Sequence, residues 1–370
     1  MRFSSTFTLA FVAVATACYF PFNDAHFTNV TYATEVFANL NPQSDMGWTS
    51  VVNGDSAVKP WPLVPAPPTD LPGEEGLVTV PYCYKTAEDR VALKETIEGG
   101  IEIWRKALPE ANAVNGHRFA GFREYGRDGL YPTCVDPKTD FWNPAVRHGT
   151  LQIQRKTKDG QSTWATVGYI PRDAGSSTGP GGWEDRHQLQ LEHNPGSDGE
   201  WRKFVAAHEL GHVIGFVHEH QRHDRDSWVS FNCENLAGYW DIKEIVEAHP
   251  EWKVDMGQVC SSNYYGSTPE LQWWSVLAYS KDMGVIHGKP TLQTFGKVYD
   301  DFSIMQYPSE ANSFWDAEKI DQYPLVKWKK TGDQAPPTGT KPTKENADFI
   351  RQPAGVSAGD VEGVKMMYPW

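Results

Sequence analysis

Apolar residues at Trp201, Phe204 and Val205, followed by His208 and His212, fall at i, i+3, i+4, i+7 and i+11. One face of a predicted helix therefore changes from an apolar stripe into a line of imidazoles. Gly215 ends the pattern, because glycine readily takes the left-handed backbone that closes a helix. A second helix is predicted from Thr86, a side-chain N-cap, to about Leu108, with Ile97, Ile101, Trp104 and Leu108 on its buried face. Gly99 and Gly100 inside it cost about 1 kcal/mol each relative to alanine, which points to a close packing contact. Strands are expected near 151–155, 163–170 and 187–192, forming a twisted sheet above the histidine-bearing helix, and the long loop Gly175–Asp185 is expected to border a cleft. After Gly215 the chain reads as mostly irregular. Thr331–Gly355, rich in Pro, Gly, Thr and Lys, reads as a surface loop, and a short final helix begins at Ser357 or Gly359.

The helix carries the chemistry. In HELGHVIGFVHE, residues 208–219, His208 and His212 project from one face one turn apart and can share a metal ion, while Glu209 sits about 100° around the same turn. A sharp turn at Gly215 brings His218 back as a third nitrogen ligand. Three ligands leave the fourth position open, which separates catalytic zinc from closed structural sites. Zinc lowers the pKa of its bound water to about 7, and a neighbouring carboxylate, here Glu209, can take the proton and deliver it to a leaving amine. A bare HExxH also occurs by chance, and buried histidines are usually hydrogen-bonded core residues. A glycine and a third histidine at the required offsets weigh against that reading.

Composition adds the setting. The formal charge is −13, and removal of the single arginine of an N-terminal leader takes it to −14, so the chain is not expected to bind nucleic acid. The hydrophobic content of 39%, with 15 tryptophans, predicts a filled globular core. Met1-Arg2, an apolar run from Phe7 to Ala15, and Ala15-Thr16-Ala17 form a secretory signal over residues 1–17. That run is too short to span a bilayer, and no later one approaches the roughly 18–20 apolar residues required. Cys18 behind it also allows a bacterial lipoprotein, although Ala15 fits that pattern poorly. Residues 18–75 read as a pro-segment: 60 to 73 are proline-dense, with little capacity to pack as a domain of their own. Asn29-Val30-Thr31 is a glycosylation sequon that would leave with it. Cys83, Cys134, Cys233 and Cys260 are expected to pair in an oxidising compartment. Three connectivities are open; Cys83 with Cys134 and Cys233 with Cys260 is favoured because each pair then stays on one side of the histidine-bearing helix.

Ser303-Ile304-Met305-Gln306-Tyr307 resembles the methionine-containing turn that metzincin metalloproteases pair with such a helix. Glu219 after the third histidine, the run His220-Gln221-Arg222-His223-Asp224-Arg225-Asp226, and a tyrosine two places after the methionine make the resemblance one to the astacin family, spanning about Gly76 to Tyr368. It implies an α+β fold: an upper half with a twisted mixed sheet and two long helices, a lower half mostly irregular with a C-terminal helix, and a cleft between them. It further implies a secreted, monomeric zinc endopeptidase over residues 76–370, with one Zn2+ on His208, His212 and His218, Glu209 as general base, and Met305 as floor beneath the metal. Tyr307 would be a movable fifth ligand that hydrogen-bonds the oxyanion; otherwise it is an ordinary turn tyrosine. Glu219 would anchor the mature N-terminus, and His220 and His223 would be surface residues or supports rather than ligands. GLVTVPYCY would be a first strand, STWATVG the edge strand along which substrate lies, and SAGDVEGVKMMYP the closing helix. The pro-segment would act as inhibitor: Val52-Asn53-Gly54-Asp55 is close to a Phe-x-Gly-Asp motif whose aspartate ligates zinc, so Asp55 is either a latency switch or part of a plain Gly-Asp turn. Thr163 stands where the family has a cysteine, so its disulfide framework does not transfer. A zinc-binding protein without catalysis and a non-peptidase zinc amidohydrolase are the rival readings.

Overall fold

The computed structural model describes residues 60–64 and 74–370 apart from 127–128, 157–162, 171–186, 195, 223, 262–264, 266–270, 272–275, 277, 282–284, 287–288, 291–297, 315–316, 330–335 and 338. Asp55, Cys18, Asn29, His223 and the loop 175–185 lie outside the described residues.

Strand β1 (Val78–Tyr84) is buried along its whole length, as a central parallel strand must be. It is flanked by β2 (Phe119–Glu124) and β3 (Leu151–Arg155), both parallel to it. β5 (Gln188–Leu191) continues parallel to β3, and β4 (Trp164–Ala165) closes the edge antiparallel to β5, giving the order β2-β1-β3-β5-β4. This is the mixed sheet expected, with the expected edge strand. That strand is shorter than 163–170, because Gly168 takes φ +60 and donates its N–H to His212 O at 2.9 Å instead of continuing the ladder. β2 is a strand that the hydrophobic pattern does not predict.

Helix α1 (Ala87–Ala107) starts as predicted at Thr86, whose side chain accepts from Asp89 N. It crosses the face of the sheet and packs on α2 (Gly199–Ile214), which is capped by Asp198 and ended by Gly215 at φ +116. The helices meet at Gly100: a side-chain carbon there would stand 2.8 Å from Ala207 N and 2.9 Å from Ala206 Cβ. Only glycine permits that approach, which explains its presence in α1.

The lower half holds more regular structure than expected. A three-stranded antiparallel sheet joins β6 (Val229–Phe231), β7 (Leu325–Trp328) and β8 (Ala347–Asp348), and two helices, α3 (Tyr239–Ala248) and α4 (Met256–Ser261), lie between β6 and β7 in sequence. Part of the predicted Thr331–Gly355 surface loop is therefore structural. Asp348 and Ala347 pair with β7, and Ile350 is buried, exchanging backbone and side-chain bonds with Ser309. The final helix α5 (Ala358–Met367) starts at Ser357 in a reciprocal capping box with Asp360. Cys83 bonds Cys134 and Cys233 bonds Cys260, the favoured pairing.

One contact involves the stretch read as the end of the pro-segment. The proline-rich stretch assigned wholly to the pro-segment puts Trp61 in the main core, 4% exposed. Its Nε1 donates to Val213 O at 2.7 Å, and its ring packs on Tyr169 and His187. Val64 adds two backbone bonds with Leu77 and Gly76. The proline density precludes a separate domain, but one large aromatic side chain can still fill a hole in the core of another.

Candidate metal centre

α2 delivers His208 and His212 from its last turns, and the Gly215 turn returns the chain so that His218 faces them. The three are buried and their ligand atoms lie within 4.8 Å of one another. His208 Nδ1 donates to Ile304 O and His212 Nδ1 to Phe216 O, each at 2.8 Å. Those bonds fix the neutral tautomer with the proton on Nδ1, so both Nε2 atoms carry bare lone pairs. His218 Nε2 sits 3.2 Å from the first and 3.3 Å from the second. Bare nitrogens at that spacing repel unless a cation lies among them. A tetrahedral zinc with bonds of about 2.0–2.1 Å separates its nitrogens by about 3.3–3.4 Å, so the donor set fits the ion. Burial supports the same state: it pushes His208 down to about 4, with the bond to Ile304 O opposing, and drives His212 and His218 well below the usual histidine value. Imidazoles that stay neutral keep their lone pairs for metal.

Glu209 is buried, 1% exposed, next to the first of these histidines. Met305 is fully buried under α2: a side chain on Gly211 would begin 2.6 Å from its Sδ. The turn holding Met305 is tied from the other side by Asp360, whose carboxylate accepts from Ser303 Oγ at 2.6 Å and Ile304 N at 2.9 Å. Ile304 is thus held at both ends, its N–H by Asp360 and its carbonyl by His208. Asp360 itself is pushed up to about 6 by burial, with the hydrogen bonds opposing. The Ser-x-x-Asp spacing from Ser357 signals the helix cap but not this second task.

Tyr307 is 5% exposed, its ring centroid 4.3 Å from that of His218. His220 is not at the surface. It is fully buried and stacked at 5.1 Å and 15° on His218, 4.6 Å from Tyr307, with Nε2 on Ala278 O at 2.8 Å. It is a supporting ring, not a ligand. Glu219 is buried away from the three nitrogens and accepts from Asp300 N at 2.9 Å and from Arg222 Nη1 at 3.4 Å. Burial pushes it up to about 8, with Arg222 pulling it back.

The profile of the astacin peptidase family matches residues 186–247, from β5 through all three histidines. Over this segment the chain is astacin-like. The chain is 33% identical over 102 residues to zinc metalloproteinase nas-13 of Caenorhabditis elegans, covering 27% of this chain and 20% of that protein. It is 53% identical over 51 residues to nas-26 of the same species, covering 12% of each. With bone morphogenetic protein 1 of Xenopus laevis it shares 43% over 54 residues, 15% of this chain and 8% of that one. The astacin-like segment thus spans less than a quarter of the length of these relatives. High choriolytic enzyme 1, a hatching enzyme zinc-protease of Oryzias latipes, superposes with a TM-score of 0.38 at 19% identity, over 79% of this chain and 90% of that one. Among the described residues no helix is long and apolar enough to cross a membrane.

Proposed function

We propose that this chain is a secreted zinc endopeptidase, made with an inhibitory pro-segment and acting as a monomer on proteins or peptides. The observation that carries the reading is the convergence of three neutral, buried imidazole nitrogens beside a buried glutamate. His208, His212 and His218 would hold the ion. When bound, zinc supplies Lewis-acid polarisation of the scissile carbonyl and of the attacking water. The chain's residues do the rest. An extended peptide lies along β4, whose outer edge continues the sheet. Glu209 takes the proton of the attacking water and passes it to the leaving amine, and the phenol of Tyr307 donates to the oxyanion. Met305 closes the floor against water.

The secretory leader is supported by the N-terminal pattern and by two disulfides. Asp55 is proposed as a carboxylate that occupies the triad in the zymogen. Burial of Trp61 moves the proposed end of the pro-segment from residue 75 to a point before Pro60, since cutting after Trp61 would take a core side chain away. Glu219, a buried carboxylate near Asp300 and Asp360, is proposed to receive the ammonium of the processed N-terminus.

The test is Glu209→Ala. The variant should bind one zinc and melt like the parent but lose casein hydrolysis by at least a thousandfold. Substantial residual peptidase activity would sink the mechanism.

A further inference from the structure

An open cleft with room for about 600 Å3 lies beyond the carboxyl ends of β3 and β5, bounded by the first turns of α1 and by Arg202 of α2. Crevices at the carboxyl ends of parallel strands are common ligand positions. None of the residues lining this one belongs to the histidine cluster or to the turn beneath it. Its basic side is built from Arg155, the last residue of β3, His193, two residues past β5, and Arg202 in the first turn of α2.

Two of these three groups are unsatisfied. Arg202 Nε and His193 Nδ1 are both shut off from solvent, and neither has a hydrogen-bond partner among the described residues. A polar atom buried in that way costs free energy that an acceptor would recover. Arg155 is better served: its Nε and backbone N donate to Asp89 Oδ1 at 2.8 and 3.2 Å. Burial, then Arg202 and Arg155, hold the His193 imidazole below its usual value, so both guanidinium groups act on the same spot.

The opposite wall is α1. Ala87 and Val91, one turn apart, and Ala92 beside them form an aliphatic strip, and Val91 is 88% exposed. Glu88 and Glu95 line the cleft from exposed positions on the same helix. Solvent and salt screen them, but they oppose any ligand that carries a second negative charge.

We infer that this cleft is a second binding site, separate from the histidines, which takes a monocarboxylate with an aliphatic body. Arg202 donates to the carboxylate through its planar fork, the geometry that suits two parallel bonds, and His193 donates from Nδ1. The alkyl part loses water against Ala87, Val91 and Ala92. Two sources carry this chemistry: the C-terminus of a polypeptide ending in an aliphatic residue, and a free alkyl carboxylic acid. The site stands independently of the endopeptidase reading.

The zinc-loaded full chain, with a saturating hydroxamate to occupy the metal, is titrated calorimetrically with acetyl-Gly-Ala-Leu as free acid, with the same peptide as C-terminal amide, with hexanoate, and with inorganic phosphate. A carboxylate should bind in the presence of the hydroxamate, at least tenfold more tightly than the amide and than phosphate. Tighter binding of the peptide acid assigns the site to a polypeptide terminus, and tighter binding of hexanoate assigns it to a free acid. Arg202→Gln should weaken the bound carboxylate at least tenfold. Val91→Asp, at an exposed position that the core does not use, should weaken it at least threefold with unchanged melting, which keeps the test decisive if the arginine variant does not fold. Binding of neither carboxylate, equal binding of the amide or of phosphate, or affinity untouched by the substitutions overturns the inference. The titration uses no hydrolysis, so an enzyme that cleaves no peptide would remove the endopeptidase reading and leave this result readable.

Discussion

The sulfur of Met305 lies where a side chain on Gly211 would begin, 2.6 Å from a carbon built there, and Trp104 Cζ2 lies 3.3 Å from the same point. The glycine inside the histidine motif is thus a packing requirement of the turn below it. Gly211→Ala forces Met305 or α2 to move. Overpacking of this kind costs about 1–3 kcal/mol, and the displaced turn also carries the carbonyl that orients His208. Thermal denaturation should show the loss, and a zinc titration should show weaker binding; unchanged affinity with unchanged melting would refute the contact.

Asp360 gives a pH prediction. Its folded pKa, about 6, lies above the ordinary aspartate value of 3.8, so the folded state binds this proton more tightly than the unfolded one. The contribution is present below about pH 4 and is lost as pH rises through 6, on the order of 3 kcal/mol at about 1.4 kcal/mol per pH unit. Asp360→Asn cannot titrate and leaves the bonds to Ser303 and Ile304 imperfectly met. Its destabilisation, measured by urea unfolding, should be larger at pH 4 than at pH 7. The opposite trend would mean that the ionised form is the one the fold prefers.

Trp61→Ala removes a fully packed indole and its bond to Val213 O. The expected cost is about 3–5 kcal/mol. Edman sequencing of secreted, active enzyme should find a first residue before Pro60. A mature chain starting after Trp61 and equally stable would contradict the placement.

Removal of metal should destabilise as well as inactivate. Free zinc at 100 times its dissociation constant adds about 2.7 kcal/mol to folding. A chelator should therefore lower the melting temperature and abolish hydrolysis together, and added zinc should restore both.

The convergence of the three histidines was legible because it depends on spacing within twelve residues of chain and one helical turn. α1, α2, β3 and β5 were legible for the same local reason. Residues whose role depends on distant partners were not. Trp61 meets Val213 across 152 positions and Asp360 meets Ile304 across 56, and no local pattern encodes either contact. β2 escaped because Gly121, at φ +105, and a register shift near Val78 break its alternation. For His220 the sequence leaves surface and support both open, and the rings of His218, Tyr307 and Tyr279 closing around it decide for support.

The two cystines have a bearing on how the chain can be assembled during synthesis. Cys83 and Cys134, 51 residues apart, both emerge from the ribosome before His208; Cys233 and Cys260, 27 apart, both emerge after Glu219. In an oxidising compartment the first loop can be closed before any of the three histidines has been translated. A wrong pairing among these four then requires Cys83 and Cys134 to stay reduced for about a hundred further residues of elongation, so among them the order of appearance along the chain favours the native bonds.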